Sequence, residues 1–227
     1  MAAYQARHGE RLHSVYVRGS AVLGGFVPGI SDLDTWALVH DEAADGPRVH
    51  VDGYDAEALT ARFPAATDIE LCHTGLTRLQ QPDAAFARML LATTAACVHG
   101  TDLIPTLPRV RPGSETLGHC LHVAKRVAEL LDDPLDTADD DVAGATTWIG
   151  KAVVRAGLEV HAHEHRQYTR DLWPCYALFA AFHPDRADAM RAVLEATIDP
   201  SPRRDDLRAL LRRVHSELLD VLSPPGF

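Results

Sequence analysis

The chain has 227 residues, 46% of them apolar, and a formal net charge of −10. That length supports one compact domain or two small ones. The acid excess, shared by both halves, repels nucleic-acid backbones and argues against a polymerase-like duplex binder. No apolar run is long enough to cross a bilayer, and the polar start (MAAYQARHGERLH) is unlike a signal peptide, so a cytoplasmic protein without a membrane partner is expected. Cys72, Cys97, Cys120 and Cys175 form no CxxC and read as reduced, mostly buried small hydrophobes.

Ala2 to Leu12 has helix-forming composition and leads into a first strand, Val15 to Val17. Gly19-Ser20 ends that strand where a tight turn must begin. Ala21 to Gly25 leaves room for only a turn or so of helix. Leu33, Thr35, Trp36, Ala37, Leu38 and Val39 have the apolar, β-branched and aromatic character of a second strand. Alternate side chains of an extended chain share a face, so Asp32 and Asp34 project together while Leu33 points away. Two neighbouring carboxylates repel unless a cation lies between them. Mg²⁺ suits, because it takes oxygen ligands and completes its shell with water and substrate phosphates. Backbone N–H groups after Gly19, with the Ser20 hydroxyl, offer phosphate oxygens a cradle. A phosphate cradle beside a divalent-metal seat is what metal-assisted nucleotidyl transfer requires.

The run from Gly19 to Asp34, G-S-A-V-L-G-G-F-V-P-G-I-S-D-L-D, resembles the Gly-Ser and Asp-x-Asp signature of the DNA polymerase β-like nucleotidyltransferase superfamily. It is most similar to the motif of the small bacterial aminoglycoside (antibiotic) adenylyltransferases, with the same Gly-Ser-Ala, paired glycines, proline and Ser-Asp-x-Asp in order. Gly29-Ile30 lengthens the loop by a residue, an insertion a surface loop absorbs. The motif covers a small part of the chain. Its specificity comes from glycines, serine and paired acids falling in register. The alternative is an Asp-rich turn before an ordinary strand. The resemblance implies ATP or another NTP as co-substrate, Mg²⁺, a small-molecule acceptor, and a third acid on a neighbouring strand that takes the acceptor's proton.

Further along, Asp41 to Gly46 is an acidic loop, Arg48 to Val51 a short edge strand, and Asp55 to Phe63 a helix closed by Pro64. Asp68 to Cys72 alternates polar and apolar residues as a strand does. Gln81-Pro82 to Thr94 reads as a helix ending before Gly100. This order predicts a mixed, mostly antiparallel sheet flanked by helices. Asp68 and Glu70 share a face of the third strand. Glu70, between Ile69 and Leu71, is the preferred third acid, since a buried-strand setting seats it beside the metal and raises its pKa. Both acids facing solvent on an edge strand is the simpler alternative.

Thr101 to Ser114 (TDLIPTLPRVRPGS) marks a domain boundary, dividing 1–108 from 109–227. Beyond it, Leu117, Leu121, Ala124, Ala128 and Leu131 recur at helical spacing as a core-facing stripe. Asp132 to Gly144 is an aspartate-rich solvated loop that does not match an EF-hand. Thr146 to Val160, Thr169 to Phe182, Arg186 to Ile198 and Arg203 to Leu222 complete a C-terminal helical bundle, so the fold class is α+β. Lys151 and Arg155 share a helix face and Arg170 follows near a helix start. The resemblance makes Lys151 or Arg170 a candidate triphosphate clamp, against an exposed salt-bridged face. His161 and His165 stand at i and i+4, a spacing that fits a metal or, more simply, a polar helix end. Arg155 and His161 form a loose R-x5-H, reminiscent of the HEPN ribonuclease motif. Trp148, Trp173 and Tyr176 line a cleft or, as is commoner, fill the core.

The expected activity is transfer of an NMP, foremost AMP from ATP, to a hydroxyl of an aminoglycoside or related natural product. Asp32, Asp34 and Glu70 are the expected metal ligands and catalytic acids, and Gly19 and Ser20 the phosphate cradle. The alternatives are a toxin–antitoxin type transferase acting on protein or RNA, and a non-catalytic nucleotide-binding descendant.

Overall fold

The computed structural model describes residues 1–29, 31–40, 49–113, 116–132 and 141–223. The expected acidic loop at 41–46, most of the aspartate-rich loop and Ser114 lie outside the described residues. The chain forms two compact units, Met1–Val110 and Arg111–Phe227.

The first unit opens with helix α1 (Ala2–His8), strand β1 (Leu12–Arg18) and the single turn α2 (Ser20–Leu23). Strands β2 (Leu33–Val39) and β3 (Val49–His50), helix α3 (Ala56–Arg62) and strand β4 (Ile69–Gly75) follow. The turn α4 (Leu76–Leu79), helix α5 (Ala85–Thr94) and strand β5 (Ala95–Gly100) complete it. Asp55 starts α3 by accepting a hydrogen bond from Ala58 N at 2.8 Å, the usual way a side-chain oxygen satisfies an orphan N–H.

The sheet order is β3-β4-β2-β1-β5, antiparallel except for the parallel pair β2–β4. Val15, Ala37, Val39, Ile69 and Leu71 pack with Tyr4 of α1 in one core. The pleat sends Tyr16, Trp36 and Cys72 to the opposite face, where all three are fully buried. Strand β5 was not expected, because the sequence there reads as the end of a helix; its pairing with β1 makes it the sheet's edge.

The second unit comprises α6 (Cys120–Asp132), α7 (Val142–Glu159), the turn α8 (Ala162–His165), α9 (Leu172–Phe182), α10 (Ala187–Ile198), α11 (Arg204–Glu217) and the turn α12 (Leu219–Leu222). Helix α7 is central and packs against α6, α9, α10 and α11. Its buried residues encircle it, and two of them are glycines facing neighbouring helices. A Cβ at Gly157 would lie 3.0 Å from both Phe179 and Met190, so α9 and α10 approach where α7 has no side chain. On α6 the buried track is Cys120, Val123 and Val127, whereas Leu121 and Ala128 of the expected stripe are exposed. Trp148 and Trp173 are 53% and 57% exposed, so the core reading holds for buried Tyr176 and fails for both tryptophans.

Candidate active site

Strand pairing places three charged residues in one row. Arg18, at the end of β1, stands opposite Asp34 near the start of β2, and Asp34 is in register with Glu70 on β4. One guanidinium nitrogen, Arg18 Nη2, donates to Asp34 Oδ1 at 2.9 Å and to Glu70 Oε2 at 3.1 Å. The Arg18 side chain is only 3% exposed, and its guanidinium also lies 5.8 Å from the Trp36 ring centroid. Burying an arginine is costly unless its charge is paired, and here two carboxylates supply the pairing. Backbone support comes from Thr35, whose hydroxyl donates to Glu70 O at 2.9 Å.

Burial pushes the Asp34 carboxyl up to about 6; Arg18 opposes the shift, while Glu70 and Asp32 add to it. Asp32 precedes β2 and is exposed. Asp34 and Glu70 are gathered on Arg18, but Asp32, Asp34 and Glu70 do not all close to within 4.8 Å of one another. The donor set still fits Mg²⁺: it is all oxygen, it carries more negative charge than Arg18 balances, and Mg²⁺ is commonly held by one or two carboxylates with water and phosphate completing the shell.

Gly19 follows Arg18 with φ +75°, a conformation glycine adopts readily. A Cβ there would lie 2.9 Å from Asp34 Oδ2, so the glycine also makes room for the acid. Its N–H is used by Thr94 O at 2.9 Å, while its carbonyl accepts from Val22 N and Leu23 N. The N–H groups of Ser20 and Ala21 and the Ser20 hydroxyl bond to no group among the described residues. They lie in the turn that follows the carboxylate row. Gly29 N donates to Ala65 O at 2.8 Å; Ile30, where the loop gains its residue, lies outside the described residues. Asp68 is exposed and its carboxylate accepts from Ile69 N at 2.7 Å.

Lys151, Arg155 and Arg170 belong to the second unit. Lys151 and Arg155 are half-buried on α7, and Arg155 Nε donates to Arg170 O at 3.3 Å just before α9. Helix α7 stops at Glu159; His161 caps the single turn α8 and His165, whose N–H donates to His161 O at 3.2 Å, ends it, but their side chains have different partners. His161 is stacked on Phe182 at 4.0 Å and meets His183 at 2.8 Å, while His165 bonds Leu158 O at 3.0 Å. Burial and the neighbouring His183 hold His161 below its ordinary pKa. Those contacts are structural, and the side chain of His163 lies outside the description.

Sequence reasoning missed Arg18. Its signal was an arginine closing an apolar strand on the Tyr16 face, immediately before Gly19; pairing with the acidic strand then forces it between carboxylates. His50 and Cys72 were also missed as neighbours of Glu70. His50 is opposite Cys72 in the β3–β4 pair, and its Nδ1 lies 3.6 Å from Glu70 Oε1.

No family model and no curated protein matches the sequence. The architecture is α+β, a mixed-sheet unit followed by a helical unit. Among solved structures, the chain is similar to spectinomycin adenyltransferase AAD(9) from Enterococcus faecialis, solved with ATP and spectinomycin, at 14% identity and a TM-score of 0.53. The match covers 95% of this chain and 96% of that one. At that identity the likeness shows the fold alone.

Proposed function

We propose that this chain is a metal-dependent nucleotidyltransferase that moves an NMP, foremost AMP from ATP, to a hydroxyl of a small molecule such as an aminoglycoside or related natural product. The carrying observation is the Arg18–Asp34–Glu70 row beside the Gly19-Ser20 turn. Likeness in fold to an enzyme solved with ATP and spectinomycin supports the co-substrate and the acceptor class.

Asp32 and Asp34, with Glu70 beside them, would hold Mg²⁺, which when bound supplies charge neutralisation at the α-phosphate and the departing pyrophosphate. The N–H groups of Ser20 and Ala21, unpaired among the described residues, and the Ser20 hydroxyl would hold phosphate oxygens. Arg18 fixes Glu70 by Oε2, and Glu70 Oε1 would take the acceptor's proton. The acceptor oxygen then attacks the α-phosphorus in line as the bond to the β-phosphate oxygen breaks. Residues 1–108 are proposed as the transfer domain and 109–227 as the source of acceptor specificity. Lys151 and Arg170 are proposed as triphosphate contacts.

A second reading has its own observation. Arg18 already bridges two of the acids, as it would in a non-catalytic nucleotide-binding descendant. Incubation with α-labelled ATP, Mg²⁺ and a panel of aminoglycosides and natural products separates the two. Labelled acceptor supports transfer; saturable ATP binding with no labelled product supports the descendant.

A further inference from the structure

On the other side of Glu70 lies a group of different chemistry. His50, Glu70 and Cys72 bring a nitrogen, an oxygen and a sulfur within 4.8 Å of one another, the one such threesome of His, Cys, Asp or Glu among the described residues. His50 Nδ1 is 3.6 Å from Glu70 Oε1 and 3.7 Å from Cys72 Sγ. Sheet geometry produces this: His50 stands opposite Cys72, and Glu70 is two residues back on the same face of β4. A tetrahedral zinc ion holds N, O and S ligands at about 2.0–2.3 Å, which sets them roughly 3.3–3.6 Å apart. The two separations from His50 are close to that already, and the third, between Glu70 and Cys72, is within 4.8 Å.

The geometry points to a second metal site at His50, Glu70 and Cys72, which takes Zn²⁺ or a similarly borderline-soft divalent cation and thereby inhibits transfer. Access is from the His50 side, whose side chain is 69% exposed, while Cys72 is fully buried. A thiolate and an imidazole disfavour Mg²⁺, so the two sites select different ions. Glu70 is shared. Its Oε2 is held by Arg18 and its Oε1 faces His50, so a cation bound here occupies the oxygen proposed to take the acceptor's proton. The binding stands on these residues alone; the inhibition rests on the transferase reading.

Cobalt(II) serves as the probe, titrated into the reduced, metal-free full chain without nucleotide. A thiolate-to-cobalt charge-transfer band is expected at one equivalent, lost in Cys72→Ala. In His50→Ala, where an exposed side chain is truncated and folding is not at risk, affinity for cobalt and zinc should fall at least about tenfold. No band, or unchanged affinity in His50→Ala, overturns the site. In transfer assays at saturating Mg²⁺, zinc should lower the wild-type rate at least about tenfold relative to its own zinc-free rate, and the His50→Ala rate far less. Equal inhibition of both chains overturns the inhibitory role. Absence of transfer from every chain instead strikes the transferase reading, and the cobalt titration alone then decides the site.

Discussion

Asp34 is the residue on which the proposed chemistry turns. Its replacement is best made as Asp34→Asn, because alanine would also strip a partner from buried Arg18. The variant should keep the wild-type circular dichroism and lose at least about a thousandfold in transfer, the equivalent of the several kcal/mol a bound metal contributes. Its folded-state pKa, about 6, lies above the ordinary 3.8. This group's own contribution to stability is therefore fully present below about pH 4 and is lost as pH rises through about 6 in the metal-free protein. Mg²⁺ needs the ionised carboxylate, so the melting shift it causes should be small at about pH 5 and larger at about pH 7. Equal shifts at the two pH values would contradict Asp34 as a ligand. Arg18→Met leaves two carboxylates without their counter-ion and should cost about 3–5 kcal/mol without metal. Added Mg²⁺ should restore more stability to that variant than to wild type, as read by thermal melts.

At the scale of elements, Glu159 is as informative as any residue in the first unit. It sits at the end of α7 and is 3% exposed. Its Oε2 accepts from the N–H groups of Gly118, His119 and Cys120 at the start of α6, and its Oε1 meets His119 Nδ1 at 2.6 Å. Burial raises its pKa, but the hydrogen bond and charge of His119 and the backbone donors outweigh that and hold it below the ordinary value. A lowered carboxylate pKa gives stability that is present above the ordinary glutamate range and lost as pH falls through the folded value. Glu159→Gln should thus lower stability by on the order of 3 kcal/mol at neutral pH and blunt the acid-side loss, measured by denaturant titration. Helices and the three interior strands, β4, β2 and β1, were legible from their residue pattern. Strand β5 was not, because Ala95 to Gly100 is largely exposed and takes its form from pairing with β1. The α6 stripe was misplaced by following Leu121 and Ala128 when Val123 and Val127 are the ones buried. For the site, Gly19, Ser20, Asp32, Asp34 and Glu70 were named from spacing and resemblance. Arg18, His50 and Cys72 became visible only through strand register, which no local pattern encodes.

The whole chain carries a net charge of −10 and, among its described residues, no helix long and apolar enough to cross a membrane. Such a charge should leave duplex DNA and RNA unbound at about physiological salt, checked by fluorescence anisotropy. The shared fold with an adenyltransferase solved with ATP and spectinomycin extends over 95% of the chain, so the likeness spans both units. The most direct measurement is transfer of label from α-labelled ATP to a panel of small-molecule acceptors, run with and without Mg²⁺ on wild type and Asp34→Asn. Labelled acceptor formed by wild type with Mg²⁺, and absent when either the ion or the carboxylate is removed, is the expected result. Undiminished transfer by Asp34→Asn, or transfer that persists without a divalent ion, would contradict a metal centre built on these acids.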